Sequence, residues 1–560
     1  MPPVVLRDLA AAYHEPVDGA ERELEGSGGP PGQTSVLVVG AGPTGLVLAL
    51  WLARLGVRAR IIDRSAAPPV SSRALGVHAR TLELYRQLGF ADAAVARGIR
   101  VQAVNLWAQG RRAARVVVGP AGAPLTPYPF ILDFSQDAHE RLLTEQLRAA
   151  GVEVERETEL VGLTQDRGTG TVRVALRGPA GHEETCAPVY VAGCDGAHSA
   201  VRTALGVGFS GGTYAQLFYV ADVTATGGAA ADGEVHIDLD ATDLLAIFPM
   251  AGGHVRLVGT VDAERAEGRA LAFADVSHRI IGQMGLTIGA VNWFSTYRVH
   301  HRVADRFREG RVFLLGDAAH IHSPVGAQGM NTGIGDAVNL AWKLAAVVRG
   351  SATPALLDSF QPERIGFARR LVATTDRVFT MATRPSALAA LVRTRAVPAV
   401  LPPLAHLGVV RRLLFRTVSQ LGIAYRASPL SAGRAGALHG GDRLPWVPAL
   451  PGPTVAPGDG ADTDNFAPLT SLEWQVHVYG DPPSGLADAC AALRLPHAVF
   501  PWQPAMAGAG FARGALYLVR PDGYIALADP RGDPRQLGSY FTARGLMRGS
   551  LPPAARRPTA

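Results

Sequence analysis

Glycines and carboxylates recur together at three turns of the chain, and the first of these turns has the spacing of a phosphate-binding loop. Gly40, Gly42 and Gly45 follow a short β-branched run, and Asp63 stands about 20 residues further on. The first glycine permits a tight turn, the second admits a pyrophosphate close to the backbone, and the third lets helix and strand pack closely. Asp63 can accept the hydroxyls of an adenosine ribose. These residues predict a bound dinucleotide, FAD or NAD; a plain βαβ unit is the alternative.

A βαβ unit must position these residues. The run Val36–Val39 predicts a strand, the leucines that follow Gly45 predict an apolar helix ended by Gly56, and residues 57–62 predict a second strand. The N-terminus of the helix presents unpaired N–H groups and a partial positive charge, which stabilise phosphate.

The second turn carries Gly193, Asp195 and Gly196 between a β run and a helix. This order matches the topology that places an acid at the edge of a nucleotide cleft. Alternatively, Asp195 is a simple N-cap of the helix that follows. The sequence leaves both interpretations open.

The third turn follows a buried strand at 312–315 and begins with Gly316 and Asp317. A loop with Ser323, Pro324, Gly326 and Gly329 comes next, and a long helix is predicted from about residue 331 to 348. Small residues at the start of this helix permit close approach to a flat ring, and its N-terminus directs partial positive charge there. The pyrimidine end of a reduced isoalloxazine carries negative charge, so a flavin suits this position.

Composition excludes several classes of protein. The 560 residues predict three or four soluble domains, with 48% apolar and 18% charged residues and no apolar run long enough to cross a membrane. Residues 1–34 lack a signal-peptide pattern and predict a flexible tail. The net charge of +6 comes from scattered arginines, which does not indicate nucleic-acid binding. The three cysteines form no CxxC, which favours a reducing cytoplasm.

No metal site is expected. Four histidines form two pairs that are close in sequence: His300, His301, His320 and His322. Such spacing on a strand or turn directs neighbouring side chains to opposite faces, and no carboxylate stands beside them at the spacing of metal ligands.

The remaining segments predict further units. A helix is expected at Gln136–Ala149, and short alternating stretches from 208 to 300 predict antiparallel sheet with one helix at about 270–284. Such an insert can wall off a ligand pocket. Candidate walls, part of which are ordinary core, are Phe218, Tyr219, Ile247, Phe248, Met250 and Trp293.

With these segments in place, the chain resembles the single-component FAD-dependent aromatic hydroxylases, the p-hydroxybenzoate hydroxylase family. The motifs are Gly40-Ala-Gly-Pro-Thr-Gly45, the Asp195-Gly196 segment with Ser199 and Arg202, and Gly316-Asp317-Ala-Ala-His320. The resemblance covers about residues 35–385 and is closer to the longer branch with phenol, pentachlorophenol and aromatic polyketide hydroxylases.

The resemblance implies an α/β fold: a Rossmann-like FAD-binding domain, an inserted antiparallel-sheet substrate domain and a C-terminal thioredoxin-like domain. The implied domains are a tail (1–34), the FAD-binding domain (35–104, 133–207 and 301–385), the substrate domain (105–132 and 208–300), a helical linker (386–435) and the thioredoxin-like domain (436–560). That last domain lacks a CxxC here, so a structural or dimerisation role is expected for it.

The resemblance also implies roles for residues. Asp63 would bind the adenosine ribose, Arg73 and Gln136 the flavin side, and Asp317 the ribityl chain. Asp195 would serve the nucleotide cleft, with NAD(P)H contact as a further role, and residues 324–331 would line the isoalloxazine edge. The implied cofactor-binding set is Gly40, Gly42, Pro43, Thr44, Gly45, Asp63, Arg64, Arg73, Gln136, Asp195, Gly196, Asp317, Gly326, Gly329, Met330 and Asn331, and the implied catalytic residues are Arg73 and Pro324. From the sequence alone, Arg73 is equally a solvated loop residue.

The implied activity is hydroxylation of a phenolic or polycyclic aromatic compound by dioxygen and NAD(P)H, through a flavin hydroperoxide. The alternatives are a Baeyer–Villiger or epoxidising flavin monooxygenase, another flavoenzyme such as a reductase or halogenase, and a non-enzymatic flavin-binding protein. The substrate and the choice between NADH and NADPH are not fixed by these residues.

Overall fold

The computed structural model describes residues 34–69, 74–108, 110–166, 168–239, 244–261, 271–276, 278–323, 325–383, 395, 407–448 and 464–546. The predicted N-terminal tail, Arg73, Pro324 and most of residues 384–406 lie outside these ranges. Among the helices described, none is both long and apolar enough to cross a membrane.

The elements are numbered here in chain order. The strands are β1 Val36–Val39, β2 Ala59–Ile62, β3 Gly76–Val77, β4 Ile99–Val101, β5 Ala103–Ala108, β6 Arg111–Val117, β7 Ile131–Asp133, β8 Val154–Glu155, β9 Glu159–Gln165, β10 Val172–Arg177, β11 Glu183–Cys186, β12 Tyr190–Gly193, β13 Phe209–Thr226, β14 Val235–Leu239, β15 Leu244–Met250, β16 His254–Val261, β17 Thr287–Ala304, β18 Arg308–Glu309, β19 Val312–Leu314, β20 His320–Ile321, β21 Ala432–Ala435, β22 Leu438–His439, β23 Gln475–Tyr479, β24 His497–Phe500, β25 Leu516–Val519 and β26 Ile525–Asp529. The helices are α1 Pro43–Arg54, α2 Ala79–Gln87, α3 Ala91–Arg97, α4 Gly119–Gly122, α5 Gln136–Ala149, α6 Ala200–Ala204, α7 His278–Gln283, α8 Gln328–Val348, α9 Phe360–Thr383, α10 Gly408–Val418, α11 Leu486–Ala492, α12 Pro504–Gly508 and α13 Arg535–Ala543.

A largely parallel sheet with the order β18-β19-β12-β1-β2-β8 forms the centre of the first unit. β1 lies between β12 and β2 and is parallel to both. Its four residues are fully apolar and buried, as expected of a parallel strand with both faces covered. α1 is apolar on all sides for the same reason and packs against both α5 and α8. Three turns that follow β1, β12 and β19 therefore meet at one edge of the sheet.

A second, eight-stranded sheet has the order β20-β17-β13-β16-β15-β14-β5-β6. Alternation along its strands gives two different faces. One face is a closed core in which Tyr219, Ile247 and Leu257 pack against α7 and Met284. On the other face, most side chains of β15 and β16 are half-buried.

Most predicted elements are confirmed, with differences at their ends. α5 has the predicted limits, and α1 ends before Gly56, which has a positive φ. The helix predicted at about 270–284 is wrong in its first part: residue 270 lies outside the described residues, and a separate 3-10 turn occupies Phe273–Asp275. The Asp275 carboxylate accepts from the Ala272 N–H at 2.8 Å, and this local bond holds the turn apart from α7.

A third sheet, ordered β22-β21-β26-β25-β23-β24, forms the C-terminal unit, and buried charges connect it to the first. Glu363 on α9 accepts from Lys343 on α8 at 2.8 Å and from Arg520, which follows β25, at 2.8 and 3.0 Å. Asp522 pairs with Arg520 at 2.6 Å, and Trp342 donates to Asp522. Burial opposes ionisation of Glu363, but Arg520 and Lys343 outweigh it and lower the pKa of Glu363.

Removal of Arg520 should be strongly destabilising. We expect Arg520→Ala to lower the free energy of unfolding by about 3–5 kcal/mol, because it leaves the carboxylates of Glu363 and Asp522 buried without their main cation. Chemical denaturation checks this. Arg513→Ala is the matched control in the same unit: its ion pair with Asp481 is exposed, so the change should stay below about 1 kcal/mol. Equal effects of the two substitutions would contradict the role of the buried cluster.

Candidate active site

The first glycine turn is closed by Asp63. One carboxylate oxygen accepts the N–H of Ala41 at 2.7 Å, and the other accepts the N–H of Ser65 at 2.8 Å. Arg156 lies 3.8 Å from the same carboxylate. Each carboxylate oxygen has a second lone pair, so these bonds leave acceptor capacity for a ribose hydroxyl. Arg156 was not found by sequence reasoning, because it lies on a different part of the chain.

The three positions of this turn favour glycine for different structural reasons. Gly40 has a φ of +101°, and a Cβ there would clash with the carbonyl oxygen of Cys194. A Cβ at Gly45 would clash with the carbonyl oxygen of Gly40. A Cβ at Gly42 would meet nothing within 4 Å. The protein itself therefore requires Gly40 and Gly45, whereas Gly42 borders open space at the N-terminus of α1, which fits a pyrophosphate.

The second turn is held by Asp195 and touches the first. The Asp195 carboxylate accepts from the Ser199 hydroxyl at 2.6 Å and from the Val201 N–H at 3.1 Å. The N-cap of α6 is Ser199, whose hydroxyl accepts from the Arg202 N–H at 2.9 Å, so the interpretation of Asp195 as the N-cap is wrong; Asp195 instead holds Ser199 in place. The proximity of Cys194 to Gly40 still places Asp195 beside the nucleotide turn. Its predicted role toward the cofactor stays a prediction.

The third turn packs directly on the start of α1. A Cβ on Gly316 would come within 2.7 Å of the Thr44 hydroxyl, and one on Gly333 of α8 would clash with that hydroxyl. Asp317 is exposed to solvent, yet the surrounding protein is dense enough to raise its pKa by desolvation. This combination is typical of the wall of a deep cleft. Asp63, Asp195 and Asp317 thus lie around one turn.

A buried ion pair supports the third turn from behind. Asp336 of α8 accepts from Arg364 at 2.6 Å, from His320 at 2.7 Å and from the Gly316 N–H at 3.0 Å. Burial disfavours the charge on Asp336, but Arg364 and His320 outweigh it and lower the pKa of Asp336. The sequence signal for Asp336 is that it is the single acid of this helix. Asp336 positions the backbone that precedes Asp317.

The predicted flavin-side residues converge on the segment that follows Arg73. The Gln136 N–H donates to the Ala74 carbonyl at 3.1 Å, and the Asn331 amide donates to the Gly76 carbonyl at 2.8 Å. The Asn331 amide oxygen accepts from the His78 N–H at 2.9 Å and from Thr81 at 2.7 Å. Asn331 is therefore a buried link between α8 and β3–α2.

The remaining predicted residues take the following positions. Pro43 is the first residue of α1, Arg64 is exposed after β2, and Gly196 has a positive φ with open space at its Cβ. Gly326 is exposed, and its carbonyl accepts from Gln328 at 3.0 Å. Gly329 and Met330 are half-buried in the first turn of α8. Arg73 and Pro324, the predicted catalytic residues, lie outside the described residues.

Gln136 is connected to the surroundings of Asp63 as well as to Ala74. Its side-chain amide donates to Glu140 at 2.7 Å. Burial raises the pKa of Glu140 to about 7, while Arg156 opposes this rise and Asp63 adds to it. Sequence reasoning missed Glu140 because it stands within an ordinary amphipathic helix.

The half-buried face of the eight-stranded sheet supplies an apolar wall. Among the candidate wall residues, the side chains of Phe248 and Met250 lie on this face and are half-buried. Tyr219 and Ile247 point to the opposite face and belong to its closed core. Trp293 is half-buried and lies opposite Asp222 in the β13–β17 pairing. β15 contacts β7 of the first unit. Arg256, which lies opposite Phe248 on the same face, acts on the charge of Asp133 of β7, so this face is turned toward the first unit.

Across the described residues, no group of three or more His, Cys, Asp or Glu side chains is placed to hold a metal ion.

Comparison with known proteins identifies the chain. Residues 33–375 match the family model described as "FAD binding domain". The chain belongs to the FAD-dependent aromatic hydroxylase family. It is 36% identical to 6-methylpretetramide 4-monooxygenase of Streptomyces rimosus over 93% of this chain and 95% of that one, and 34% identical to pentachlorophenol 4-monooxygenase of Sphingobium chlorophenolicum over 62% and 65%. The structure of the anhydrotetracycline hydroxylase OxyS from Streptomyces rimosus superposes with a TM-score of 0.73 at 29% identity, covering 92% of this chain and 99% of that one.

This hydroxylase is therefore an FAD-dependent monooxygenase with NAD(P)H as co-substrate. The open space at Gly42 and the exposed acid at the third turn fit FAD. The bound flavin supplies redox chemistry and the site of oxygen activation. The chain's own part is to hold the dinucleotide and to keep water from the reacting ring.

The glycine geometry gives a test of cofactor binding. We expect Gly42→Val to lower FAD affinity by at least tenfold while leaving the apoprotein folded, because the added side chain enters space that the protein does not use. Fluorescence titration of the apoprotein with FAD measures the affinity, and circular dichroism the fold. Gly45→Val is the contrasting variant, since its side chain clashes with backbone and should unfold the protein with or without FAD. Unchanged FAD affinity in Gly42→Val would contradict this placement of the pyrophosphate.

A second test concerns Asp133, the last residue of β7. It is 6% exposed, and burial raises its pKa to about 8. Between pH 4 and pH 8 the unfolded chain releases this proton and the folded chain keeps it, so wild-type stability falls as pH rises through this window. We expect Asp133→Asn to be more stable than wild type by up to about 5 kcal/mol at pH 9, with a much smaller difference at pH 4.

Chemical denaturation of both proteins with saturating FAD measures this difference, and Asp481→Asn, an exposed carboxylate, is the control that should show none. A pH-independent loss of stability in Asp133→Asn would contradict the raised pKa.

Proposed function

We propose that this hydroxylase acts on a phenolic, polycyclic aromatic substrate bound between the half-buried face of the eight-stranded sheet and the FAD-binding unit. The observation that carries the proposal is an apolar wall on one face of this sheet, formed by Phe248, Met250 and Trp293. Strand β15, which carries two of these residues, contacts β7 of the FAD-binding unit. A flat apolar wall beside the flavin cleft excludes water and offers stacking contacts to fused rings. Two relatives of similar length are named for 6-methylpretetramide and anhydrotetracycline, and these names support the choice of a polycyclic substrate.

We assign cofactor roles as follows. Asp63 binds the adenosine ribose, the α1 N-terminus with Gly42 binds the pyrophosphate, and Asp317 binds the ribityl chain. Support comes from the remaining acceptor capacity of Asp63, the open space at Gly42 and the exposure of Asp317. The α8 N-terminus, which has no acid in its first turn, faces the pyrimidine end of the ring.

We also propose the domain roles that the sequence predicts: the eight-stranded sheet is an inserted substrate domain, and the C-terminal unit is thioredoxin-like. In that unit β23 and β24 are parallel and α11 lies between them in the chain, while β25 and β26 form an antiparallel hairpin. The four strands have the order β24-β23-β25-β26, which is that of a thioredoxin core. Its cysteine, Cys490, is buried with a pKa raised to about 11, so the unit is structural. Free cysteines support a cytoplasmic location.

The proposed activity is tested by a panel of phenols and polycyclic aromatic compounds offered to the purified yellow protein. We expect at least one polycyclic phenol to accelerate NADH or NADPH oxidation about tenfold or more and to gain one oxygen atom from labelled dioxygen. Mass analysis of the product separates hydroxylation from its alternative, since a Baeyer–Villiger reaction gives a ring-expanded lactone. NAD(P)H oxidation that no aromatic compound stimulates would contradict the proposal.

A further inference from the structure

A buried cation lies on the apolar face of the eight-stranded sheet. Arg256 of β16 is 1% exposed. Its Nε and Nη2 atoms donate to the Asp222 carboxylate at 2.6 and 2.7 Å, and its Nη1 atom has no hydrogen-bond partner. The guanidinium carbon lies 5.7 Å from the centre of the Trp293 ring. Asp222 thus fixes the guanidinium and leaves one N–H edge available beside an aromatic wall.

A buried acid of the FAD-binding unit lies near this cation. Asp133 ends β7, and its Oδ2 atom is buried without a hydrogen-bond partner. Arg256 is the charged group that acts on Asp133, yet the two side chains form no ion pair within 4.0 Å among the described contacts. A buried carboxyl without a partner costs stability, and such a cost is commonly retained at functional sites. The gap between the two groups lies where the substrate is proposed to bind.

We propose that Asp133 and Arg256 recognise an ionisable hydroxyl of the aromatic substrate, with Asp133 as the proton acceptor and Arg256 as the partner of the resulting oxyanion. This inference rests on the proposed function and deepens it by assigning the substrate-activating groups.

The chemistry balances without any additional reagent. The substrate O–H bond breaks, its proton bonds to Oδ2 of Asp133, and the electron pair stays on the substrate oxygen. The Nη1–H of Arg256 then donates to this oxyanion. Ionisation raises the electron density of the ring, which is what attack on an electrophilic oxygen requires. Above its pKa of about 8, Asp133 is ionised, and its carboxylate is then basic enough to accept the proton of a phenol.

Few other charged groups surround Asp133. Two of the strands beside β7, namely β3 and β15, carry no titratable side chain. On the third, β4, Arg100 is exposed and lies opposite Leu132 in the strand pairing. The side chains of Leu132 and Asp133 point to opposite faces, so Arg100 does not face Asp133. On β16, the Nδ1 atom of His254 accepts from the Asn292 side-chain amide at 3.0 Å. The titration of Asp133 is therefore governed by its burial and by Arg256.

The pair is tested in the holoenzyme with 2-naphthol, a fused two-ring phenol that serves as the dye because its absorption shifts to longer wavelength when the hydroxyl ionises. We expect wild type to bind the dye as its anion above the pKa of Asp133, at about pH 8 to 9, where the free dye is still neutral. Asp133→Asn should bind it as the neutral form and reduce kcat/KM for dye-stimulated NAD(P)H oxidation by about 10²–10⁴-fold. Arg256→Gln should move the pH midpoint of anion binding upward, because loss of the positive charge raises the pKa of Asp133.

Flavin absorbance and a thermal melt confirm that each variant is folded with FAD bound, and Arg256→Lys, which keeps the charge, should restore part of the anion binding. Glu159→Gln, an exposed carboxylate on β9, is the control and should match wild type. Binding of the neutral dye by wild type, or an unchanged spectrum and pH profile in Asp133→Asn, would overturn this inference alone. Failure of wild type to bind the dye would overturn the proposed substrate class and the inference with it.

Discussion

The architecture depends on the close approach of three backbone segments around Thr44. Gly316 and Gly333 have no side chains, so the third turn and the start of α8 reach the first turn of α1. Cys194 approaches Gly40 from the other side. Because parallel strands end at one edge of the sheet, this contact brings together turns that are far apart in the chain. A side chain at Gly333 would meet the Thr44 hydroxyl and the Cα of Gly316, and one at Gly316 would meet Thr44 in a backbone conformation that favours glycine, so both positions favour glycine.

Local patterns predicted this framework well. The β1–α1–β2 unit, the limits of α5 and the strand before Gly316 follow from hydrophobic periodicity and from glycines at helix ends, both of which act over a few residues. The sequence predicts the start of α8 at about residue 331, but the helix begins at Gln328, because Ala327 adopts a left-handed conformation and forms the N-cap there. Such a conformation at alanine has no sequence signal.

The groups that sequence reasoning missed depend on tertiary contacts. Asp336 meets Arg364 across two helices, and Asp133 lies near Arg256 across two sheets. Nothing in the local sequence distinguishes these residues from exposed acids and arginines, which are far more common. The separation of the wall residues Phe248 and Met250 from the core residues Tyr219 and Ile247 likewise requires knowledge of which sheet face is covered.

The charge cluster around Glu363 has a consequence for how this family can change. A gene shortened before residue 436 would keep Glu363 and Lys343 inside the remaining unit and discard Arg520, their neighbour from the last sheet. The shortened product would keep the Glu363–Lys343 pair, but it would lose the buried bonds from Arg520 and would expose to solvent the side of α8 that the last sheet covers. Removal of the C-terminal unit would therefore require replacement of several interior residues of the first unit, among them Trp342, Lys343 and Glu363.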